Sequence, residues 1–326
     1  MKKVLIAILL LGLLPHASAD YIHWVDFRLS APVLRSALEL DMASQGGEQP
    51  LDWIDILALA AAWRGGTGVT VADTQRAAQA LRGDTPPERL PGMAGRYFSY
   101  YREAYGAALG GLAGHFAIRR TDPQTGEAEW IPAYGLKAFS PIAAGYFWSH
   151  YPDFGAQRSY GYARPHLGND ILGALGTPIC AVEGGTVEAL GWNRYGGWRI
   201  GIRSDDRKRY YYYAHLRKDT PYAEGLAVGQ RLQAGDVIGF MGRTGYSAQE
   251  NVNNIETVHL HFGLQLIFDE SQKECDSEIW IDVYPIIELL ASHCSSVARD
   301  PQTGRWERLY PYCDLDAEPL RSAAAR

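Results

Sequence analysis

The spacing of apolar residues changes near residue 134 and divides the chain into two regions. Before this point, apolar residues recur with the 3.6-residue period of amphipathic helices. Beyond it, short apolar runs such as 179–182, 186–190 and 199–202 are separated by glycine-rich turns, a pattern typical of antiparallel strands. Residues 283–290 predict one short closing helix. The sequence therefore predicts a multidomain α+β fold, with a helical N-terminal region followed by an antiparallel all-β domain.

Four helices are expected between residues 20 and 133. Ser30 and Asp73 are suitable N-caps for the first and the third helix, and Gly65 ends the second. The apolar face of the second helix consists of Ile54, Leu57, Ala58 and Ala61. The predicted fourth helix has a tyrosine at every fourth position, namely Tyr97, Tyr101 and Tyr105. This spacing is more typical of core packing than of a ligand site. Residues 121–129 predict a polar hairpin or linker. Because no catalytic motif occurs here, we interpret the region as a helical accessory domain.

The first 19 residues predict a secretory signal peptide. Two lysines precede an apolar run at residues 4–14, and small residues at positions 17–19 fit a cleavage site. The apolar run is too short for a permanent membrane anchor. We therefore expect residues 1–19 to be removed. The mature protein is expected to be secreted or extracytoplasmic, in the cell wall or the periplasm, without a stable membrane anchor.

Composition narrows the class of partner. Hydrophobic residues make up 47% of the chain and charged residues 21%, as expected for packed domains. The net charge of −6 becomes −8 when Lys2 and Lys3 leave with the signal peptide, and no basic run offsets it. Nucleic acid is therefore not expected as a partner, because its binding relies on clustered lysine and arginine side chains.

The four cysteines lack the spacing of a structural zinc site. Cys180 lies in an apolar run and is expected to be a buried thiol. The other three allow three alternative single disulfides, and an exported protein permits their oxidation. They are Cys275, Cys294 and Cys313.

The strongest chemical signal is a predicted strand that carries His259 and His261. The two histidines alternate with apolar residues, and the period of two places both imidazoles on the same face. Earlier in the chain, Asp170 follows His166 by four positions, and His215 ends a tyrosine-rich strand. A hydrolytic zinc centre needs three protein ligands and an open position for water. This set supplies three ligands and two further histidines.

The strand before His215 supplies candidate groove residues. If this strand is regular, Tyr211 and Tyr213 share a face with His215 and line a substrate groove. The equally weighted alternative is that these tyrosines only pack within the protein. Weaker groove candidates are Asn193, Tyr195 and Trp198. Four other histidines lack a partner pattern and are expected at the surface or in the core: His23, His115, His150 and His293.

Together these motifs resemble the M23 family of zinc metallopeptidases, the lysostaphin and LytM-like cell-wall endopeptidases, from about residue 140 to residue 290. The shared motifs are His166-x-x-x-Asp170, Gly176-Thr177-Pro178, Gly184-Gly185-Thr186-Val187, Tyr195-Gly196-Gly197, Tyr213-Ala214-His215-Leu216, Gly235-Asp236-Val237-Ile238-Gly239, Gly242-Arg243-Thr244-Gly245 and His259-Leu260-His261-Phe262. The polar stretch at residues 250–256 departs from the short turn that the family often has there. The helical region lies outside the resemblance.

The resemblance implies a catalytic domain of the duplicated hybrid motif type. The composition shift near residue 134 and the polar character of residues 293–326 predict that this domain spans residues 134–292 and is followed by a C-terminal tail at 293–326. The resemblance implies that one Zn²⁺ per chain is held by His166, Asp170 and His261. It also implies that His215 and His259 are catalytic residues beside the bound water, and which of them is the general base stays open. The implied activity is that of a zinc metalloendopeptidase, which hydrolyses peptide bonds in peptidoglycan. A glycine bridge and a D-alanyl crosslink are both candidate bonds.

Two alternative functions compete with this one. A non-catalytic M23-like module would bind the wall or activate another hydrolase, but such modules lack zinc ligands or the extra histidines, and all five residues are present here. The segments 184–187 and 235–239 also resemble the hairpins of biotinyl and lipoyl carriers, which need a lysine at a hairpin tip that this sequence lacks. A histidine phosphocarrier would be cytoplasmic, which the signal peptide contradicts.

Overall fold

The structure is a computed structural model of the chain and describes residues 21–122, 124–273, 275 and 277–317. The predicted signal peptide and the end of the predicted tail, residues 318–326, lie outside the described residues. The described chain has the predicted α+β organisation, with four helices first and antiparallel sheets after them. Within the described ranges, no helix combines the length and the apolar character needed to cross a membrane.

The four helices pack around a central hydrophobic one. They are α1 (Ala31–Ser44), α2 (Trp53–Arg64), α3 (Val71–Leu81) and α4 (Met93–Leu109), with a 3-10 turn at Pro87–Arg89 before α4. Helix α2 is apolar around most of its circumference and therefore lies buried against α1, α3 and α4. In α4, Tyr101 and Tyr105 are buried as predicted, whereas Tyr97 is 36% exposed.

The helix ends confirm two of the predicted signals and correct a third. Ser30 occupies the N-cap position of α1, although its side chain forms no capping hydrogen bond. Helix α2 ends at Gly65 with a φ of 65°, a left-handed conformation that glycine adopts without strain. The prediction that Asp73 caps α3 is wrong, because Thr70 is the N-cap and Asp73 is the third helical residue. The Thr70 hydroxyl accepts a hydrogen bond from the Asp73 N–H, and the Asp73 carboxylate accepts one from the Thr70 N–H.

A β-hairpin follows the helices, in a region that the sequence predicts to be mainly helical. Strands β1 (Ala113–Thr121) and β2 (Ala128–Leu136) pair antiparallel, and the polar segment between them forms the turn, which is one of the two predicted alternatives. Strand β17 (Tyr312–Asp314), from the predicted tail, pairs with β1. The predicted boundary at residues 133 and 134 lies within β2. Both strands of the hairpin are mostly exposed, so their apolar pattern is weak.

The main sheet has eight antiparallel strands. They are β3 (Trp148–His150), β6 (Asn169–Gly173), β8 (Gly185–Asn193), β9 (Gly197–Ser204), β10 (Arg209–Ala214), β11 (Arg231–Leu232), β13 (His259–Leu266) and β14 (Ile279–Trp280). Seven of them follow the order β11-β8-β9-β10-β13-β6-β3, and β14 pairs with β13. The remaining elements are β4 (Gln157–Arg158) with β5 (Arg164–Pro165), β7 (Pro178–Cys180) with β12 (Val237–Phe240), β15 (Val297–Arg299) with β16 (Trp306–Arg308), the 3-10 turn Glu270–Gln272 and helix α5 (Tyr284–Leu290).

The two faces of the main sheet differ, and the tyrosines of β10 show which face is which. Tyr211 and Tyr213 are buried in the core, where both contact the ring of Phe262. Tyr212 lies on the opposite face, in a groove. The prediction that Tyr211 and Tyr213 share a face with His215 is therefore wrong. His215 follows the end of β10 with a φ of 61°, and this left-handed residue interrupts the alternation on which the prediction depended.

A buried ion pair joins the helices to the sheet. Arg209 on β10 is 1% exposed, and its Nε donates to Glu183 Oε2 at 2.7 Å. Its Nη1 donates to the carbonyl oxygen of Ala107 at 2.7 Å, in the last turn of α4. A cation at this position satisfies a carbonyl group that the helix itself leaves unpaired and interacts favourably with the helix dipole. The apolar core is continuous between the helices and the sheet.

The cysteines are all free thiols in the structure. Cys180 is buried in β7, as predicted. Its burial raises the pKa of the thiol to about 12, so the thiol is protonated at neutral pH. None of the three alternative disulfides among Cys275, Cys294 and Cys313 is formed.

Asp41 is a second buried contact between the helices and the β-structure. Its side chain on α1 accepts hydrogen bonds from the Trp53 N–H at the start of α2 and from the Tyr134 hydroxyl on β2, at 3.1 and 3.0 Å. Gln45 Nε2 donates to its other carboxylate oxygen at 2.6 Å. One fully buried carboxylate therefore serves three donors from three segments.

Replacing Asp41 with alanine should lower the free energy of unfolding by about 3 kcal/mol, because three donors lose their acceptor and two of them are backbone or hydroxyl groups fixed in place. Urea unfolding followed by far-ultraviolet circular dichroism measures the change. Asp84→Ala, at an exposed position, should change the same quantity by less than about 0.5 kcal/mol. Equal effects of the two substitutions would show that Asp41 is not a structural contact.

Candidate metal centre

Strands β6 and β13 bring the first candidate residues together. Their antiparallel register places Asp170 directly opposite His261. His259 lies two residues earlier on β13 and points to the same groove face, whereas Leu260 and Phe262 are buried in the core on the other face. The alternation in the sequence thus separates the polar and the apolar face of one strand.

Three donor atoms converge beside these strands. His166, which follows β5, has its Nε2 2.8 Å from His261 Nδ1 and 3.0 Å from Asp170 Oδ1. His261 Nδ1 lies 3.1 Å from the same carboxylate oxygen. Ligand atoms around a tetrahedral zinc ion with bonds of about 2.0–2.1 Å lie roughly 3.3 Å apart. The three atoms are therefore close to the spacing that one ion requires, and no second cluster of this kind occurs in the part of the chain that the structure describes.

Asp153 orients His166, although it belongs to none of the sequence motifs. His166 Nδ1 lies 3.1 Å from the Asp153 carbonyl oxygen and 3.2 Å from its Oδ2, so the N–H at this position donates to Asp153 and Nε2 is left for a metal. Burial disfavours the protonated ring, but the hydrogen bonds to Asp153 and Asp170 outweigh burial and raise the pKa of His166 to about 9.

Asp170 is held as a carboxylate by contacts with both of its oxygens. Oδ1 faces His166 and His261, and Oδ2 accepts a hydrogen bond from Arg158 Nη2 at 2.9 Å. Burial alone would raise the pKa of Asp170, but the hydrogen bonds with the two histidines hold it well below its usual range. Arg158 Nη2 also lies 3.1 Å from Asp153 Oδ2, so one guanidinium connects the two acids.

The polar contacts continue away from the candidate ligands. Asn169 donates through Nδ2 to Asp153 Oδ1 at 2.8 Å, and its Oδ1 lies 2.6 Å from His150 Nδ1. The other ring nitrogen of His150 lies 2.7 Å from Glu288 Oε1 on α5. His150 is thus one of the satisfied histidines that the sequence predicts. Asn169 could be found from the sequence, because it lies within the His166-x-x-x-Asp170 motif. Asp153 could not, because it lies in an irregular segment without hydrophobic periodicity.

His215 and His259 present the same ring nitrogen to the groove. His215 Nδ1 lies 2.9 Å from the Thr244 carbonyl oxygen, and His259 Nδ1 lies 2.9 Å from the Thr257 carbonyl oxygen. Because a carbonyl only accepts, Nδ1 carries the proton on each neutral ring and Nε2 holds a lone pair. Burial, together with the neighbouring histidines, lowers the pKa of His215 well below its usual value, so this ring is neutral at pH 7.

The five candidate residues share one open groove with a volume of about 380 Å³. Asn193 and Tyr195 line it, in agreement with the sequence analysis. Trp198 does not; it packs against Trp192, and its Nε1 donates to Asn251 Oδ1 at 2.9 Å. The polar stretch at residues 250–256 therefore supports the wall beside the groove. Chemically, the site can hold one divalent metal ion and offer two imidazoles to a bound molecule.

Comparison with known proteins identifies the segment that contains this centre. Residues 164–274 match the model of peptidase family M23, and all five candidate residues lie within the match. Residues 164–274 form a peptidase family M23 domain. Over 124 residues the chain is 40% identical to an L-Ala–D-Glu endopeptidase of Bacillus subtilis. The aligned segment covers 38% of this chain and 36% of that protein.

Two further relatives extend the comparison. Over 98 residues, the chain is 37% identical to a glycyl-glycine endopeptidase of Staphylococcus capitis, covering 30% of this chain and 24% of that protein. The chain thus spans about a third or less of the length of these curated relatives. A solved structure from Ruminococcus gnavus, described as a glycyl-glycine endopeptidase of the LytM type, covers 82% of this chain and 91% of its own, with 24% identity and a TM-score of 0.49.

Gly168 leaves the space that the His261 ring occupies in the M23 domain. A Cβ atom at position 168 would lie 2.7 Å from His261 Cε1 and 2.7 Å from the Phe262 carbonyl oxygen. Both distances are shorter than van der Waals contact, so a larger residue would move the His261 ring or strand β13. The motif between His166 and Asp170 therefore has a steric requirement as well as a chemical one.

Gly168→Ala should weaken the binding of an added divalent metal by about 10- to 100-fold, because it displaces a candidate ligand without removing it. Competition with a chromophoric chelator measures the affinity. Gly106→Ala is the matched control, since its Cβ would lie 3.9 Å from the nearest side-chain atom, in the interior of α4. Equal metal affinity in the two variants would contradict the steric role of Gly168.

Proposed function

We propose that the chain is a secreted zinc metalloendopeptidase that hydrolyses peptide bonds in peptidoglycan. The observation that carries the proposal is the convergence of the donor atoms of His166, Asp170 and His261 beside two histidines whose Nε2 atoms face an open groove. The two curated relatives support the reaction class, because each is named as an endopeptidase. The predicted signal peptide supports an extracytoplasmic site of action, in the cell wall or the periplasm.

His166, Asp170 and His261 would hold one zinc ion per chain. When bound, zinc supplies a Lewis acid that polarises a peptide carbonyl and lowers the pKa of a water molecule to about 7. The protein side of this arrangement is the fixed orientation of the ligands. Asp153 holds the His166 ring so that Nε2 faces the centre, and Arg158 occupies the second oxygen of Asp170 so that Oδ1 remains available.

His215 and His259 would move the protons of the reaction. In the neutral form of each ring Nε2 holds a lone pair, so either ring can accept the proton of the attacking water, and a protonated ring can then deliver a proton to the leaving amine. The low pKa of His215 favours its neutral form before the reaction and the loss of its proton afterwards. The hydrogen bonds from Nδ1 to backbone carbonyls keep both rings oriented during these transfers.

We also propose different roles for the two parts of the chain. Residues 134–292 would be the catalytic unit, and the helices within residues 20–133 would be an accessory unit that packs against it through Asp41 and Arg209. A non-catalytic wall-binding or activating module is not favoured, because all five chemical groups are present and lie close together.

Single substitutions should separate the ligands from the proton-transfer residues. His261→Ala should lose most of its zinc and its activity, because only two protein ligands remain. His259→Ala and His215→Ala should keep the zinc and hydrolyse peptidoglycan roughly 10²–10⁴-fold more slowly. Elemental analysis and mass spectrometry of released muropeptides measure both quantities, with exposed His115→Ala as the control. Zinc loss in His259→Ala with retention in His261→Ala would reverse the roles, and full zinc and activity in both would refute them.

Zinc uptake should also depend on pH through His166. Its pKa of about 9 in the metal-free protein means that the ring is protonated at pH 7 and must lose this proton to bind zinc. Affinity should therefore rise with pH, about tenfold per unit up to roughly pH 9. Calorimetry in buffers of different ionisation enthalpy measures the released proton. Asp153→Asn removes the charge that favours the protonated ring, so less proton release is expected at pH 7. Equal release by both proteins would contradict the assignment.

A further inference from the structure

Arg199 is a cation of the groove that has no counter-charge within the described residues. It lies on β9 and lines the same groove as the candidate metal centre. The residue is partly buried, and its Nε is fully buried without a hydrogen-bond partner. No carboxylate of the described chain forms an ion pair with its guanidinium. A buried donor without an acceptor costs free energy, and the described chain supplies no acceptor that engages this guanidinium.

The other cations that line the groove are already engaged by the protein. Arg158 binds Asp170, and Lys273 Nζ lies 2.5 Å from Glu188 Oε2. Arg164 donates to the Tyr160 carbonyl oxygen. Among the described residues, Arg199 thus differs from Arg158 and Lys273 in lacking a carboxylate partner, and from Arg164 in lacking a side-chain hydrogen bond. The difference does not come from a general excess of positive charge, since the chain carries a net charge of −6.

The strand register places Arg199 close to the reacting centre. Ile200 on β9 pairs with Tyr213 on β10, so Arg199 lies beside the next residue, Ala214. Ala214 in turn pairs with His261 on β13. With neighbouring strands about 4.8 Å apart, the backbones of Arg199 and His261 are about 10 Å apart on the groove face. Ala214 lies between them in the sheet, and Arg199 and His261 both line the groove.

We propose that Arg199 binds a carboxylate group of the substrate next to the bond that is cut, and that this site selects carboxylate-bearing stem peptides over glycine bridges. The proposal rests on the proposed function, because it identifies the substrate class of the same groove. The planar guanidinium can bind a carboxylate through two parallel hydrogen bonds. A glutamate that is linked through one carboxyl keeps its other carboxyl free, whereas a glycine bridge offers no internal carboxylate.

Peptide binding to the full-length, zinc-loaded protein tests this assignment. In a His215→Ala background, which slows turnover by roughly 10²–10⁴-fold, two peptides are compared by calorimetry: L-Ala-γ-D-Glu-L-Lys with a free glutamate α-carboxylate, and the same peptide with an α-carboxamide. We expect the carboxylate peptide to bind about 10- to 100-fold more tightly. Adding Arg199→Gln should remove most of this preference. Arg199→Lys should retain part of it, since an ammonium keeps the charge without the paired geometry.

The control is Arg231→Gln in the same background, because Arg231 is exposed and paired with Asp205 on the surface. It should keep the full preference. Equal binding of the two peptides by the His215→Ala protein, or an unchanged preference after Arg199→Gln, would overturn the Arg199 site. Pentaglycine with an amidated C-terminus that binds as tightly as the carboxylate peptide would do the same.

Hydrolysis assays on the wild-type protein distinguish this proposal from the proposed function. Carboxylate preference in binding without hydrolysis of either peptide or of peptidoglycan would support the Arg199 site and refute the endopeptidase activity. Hydrolysis of peptidoglycan without any carboxylate preference would support the activity and refute the Arg199 site.

Discussion

The antiparallel register of β6 and β13 is the constraint on which the candidate centre depends. It sets Asp170 opposite His261, and it is held by the apolar side of β13, where Leu260, Phe262 and Leu264 are almost completely buried. A slip by one residue would turn this apolar set toward the groove and the histidines toward the core. Each buried side chain of this size contributes about 1.5–3 kcal/mol, so packing alone favours one register. Hydrophobic packing therefore positions the candidate metal ligands without help from a metal ion.

Around these strands, a second set of polar groups fixes the orientation of the ligand side chains. Asp153 is the central member, because it contacts His166, Arg158 and Asn169 at the same time. Such a network resists rearrangement in a buried environment, since each broken contact would leave a polar group without a partner. Through Asn169 and His150, the network reaches α5, so the closing helix also supports the centre.

The sequence was sufficient where local pattern and local chemistry coincide. The periods of α2 and β13, the glycine that ends α2 and the buried thiol of Cys180 all follow from neighbouring residues. The sequence was insufficient where one backbone torsion or a partner distant in the chain determines which face a side chain takes or which strands pair. The left-handed conformation of His215 reversed the expected faces of the tyrosines, and the β1–β2 hairpin gained its third strand from the far end of the chain. Arg199 and Asp153 belong to no motif, and only the folded sheet shows their proximity to the centre.

The pairing of β17 with β1 has a consequence for the order in which the protein matures. It joins segments that lie far apart in the chain; the contact between His115 and Asp316 spans 201 residues. A two-stranded hairpin alone is only marginally stable in water, and contacts between distant segments form slowly. During synthesis the hairpin emerges long before its third strand. The three-stranded sheet beside the helices can therefore form only after residue 314 has been synthesised, later than the helices and the strands of the main sheet.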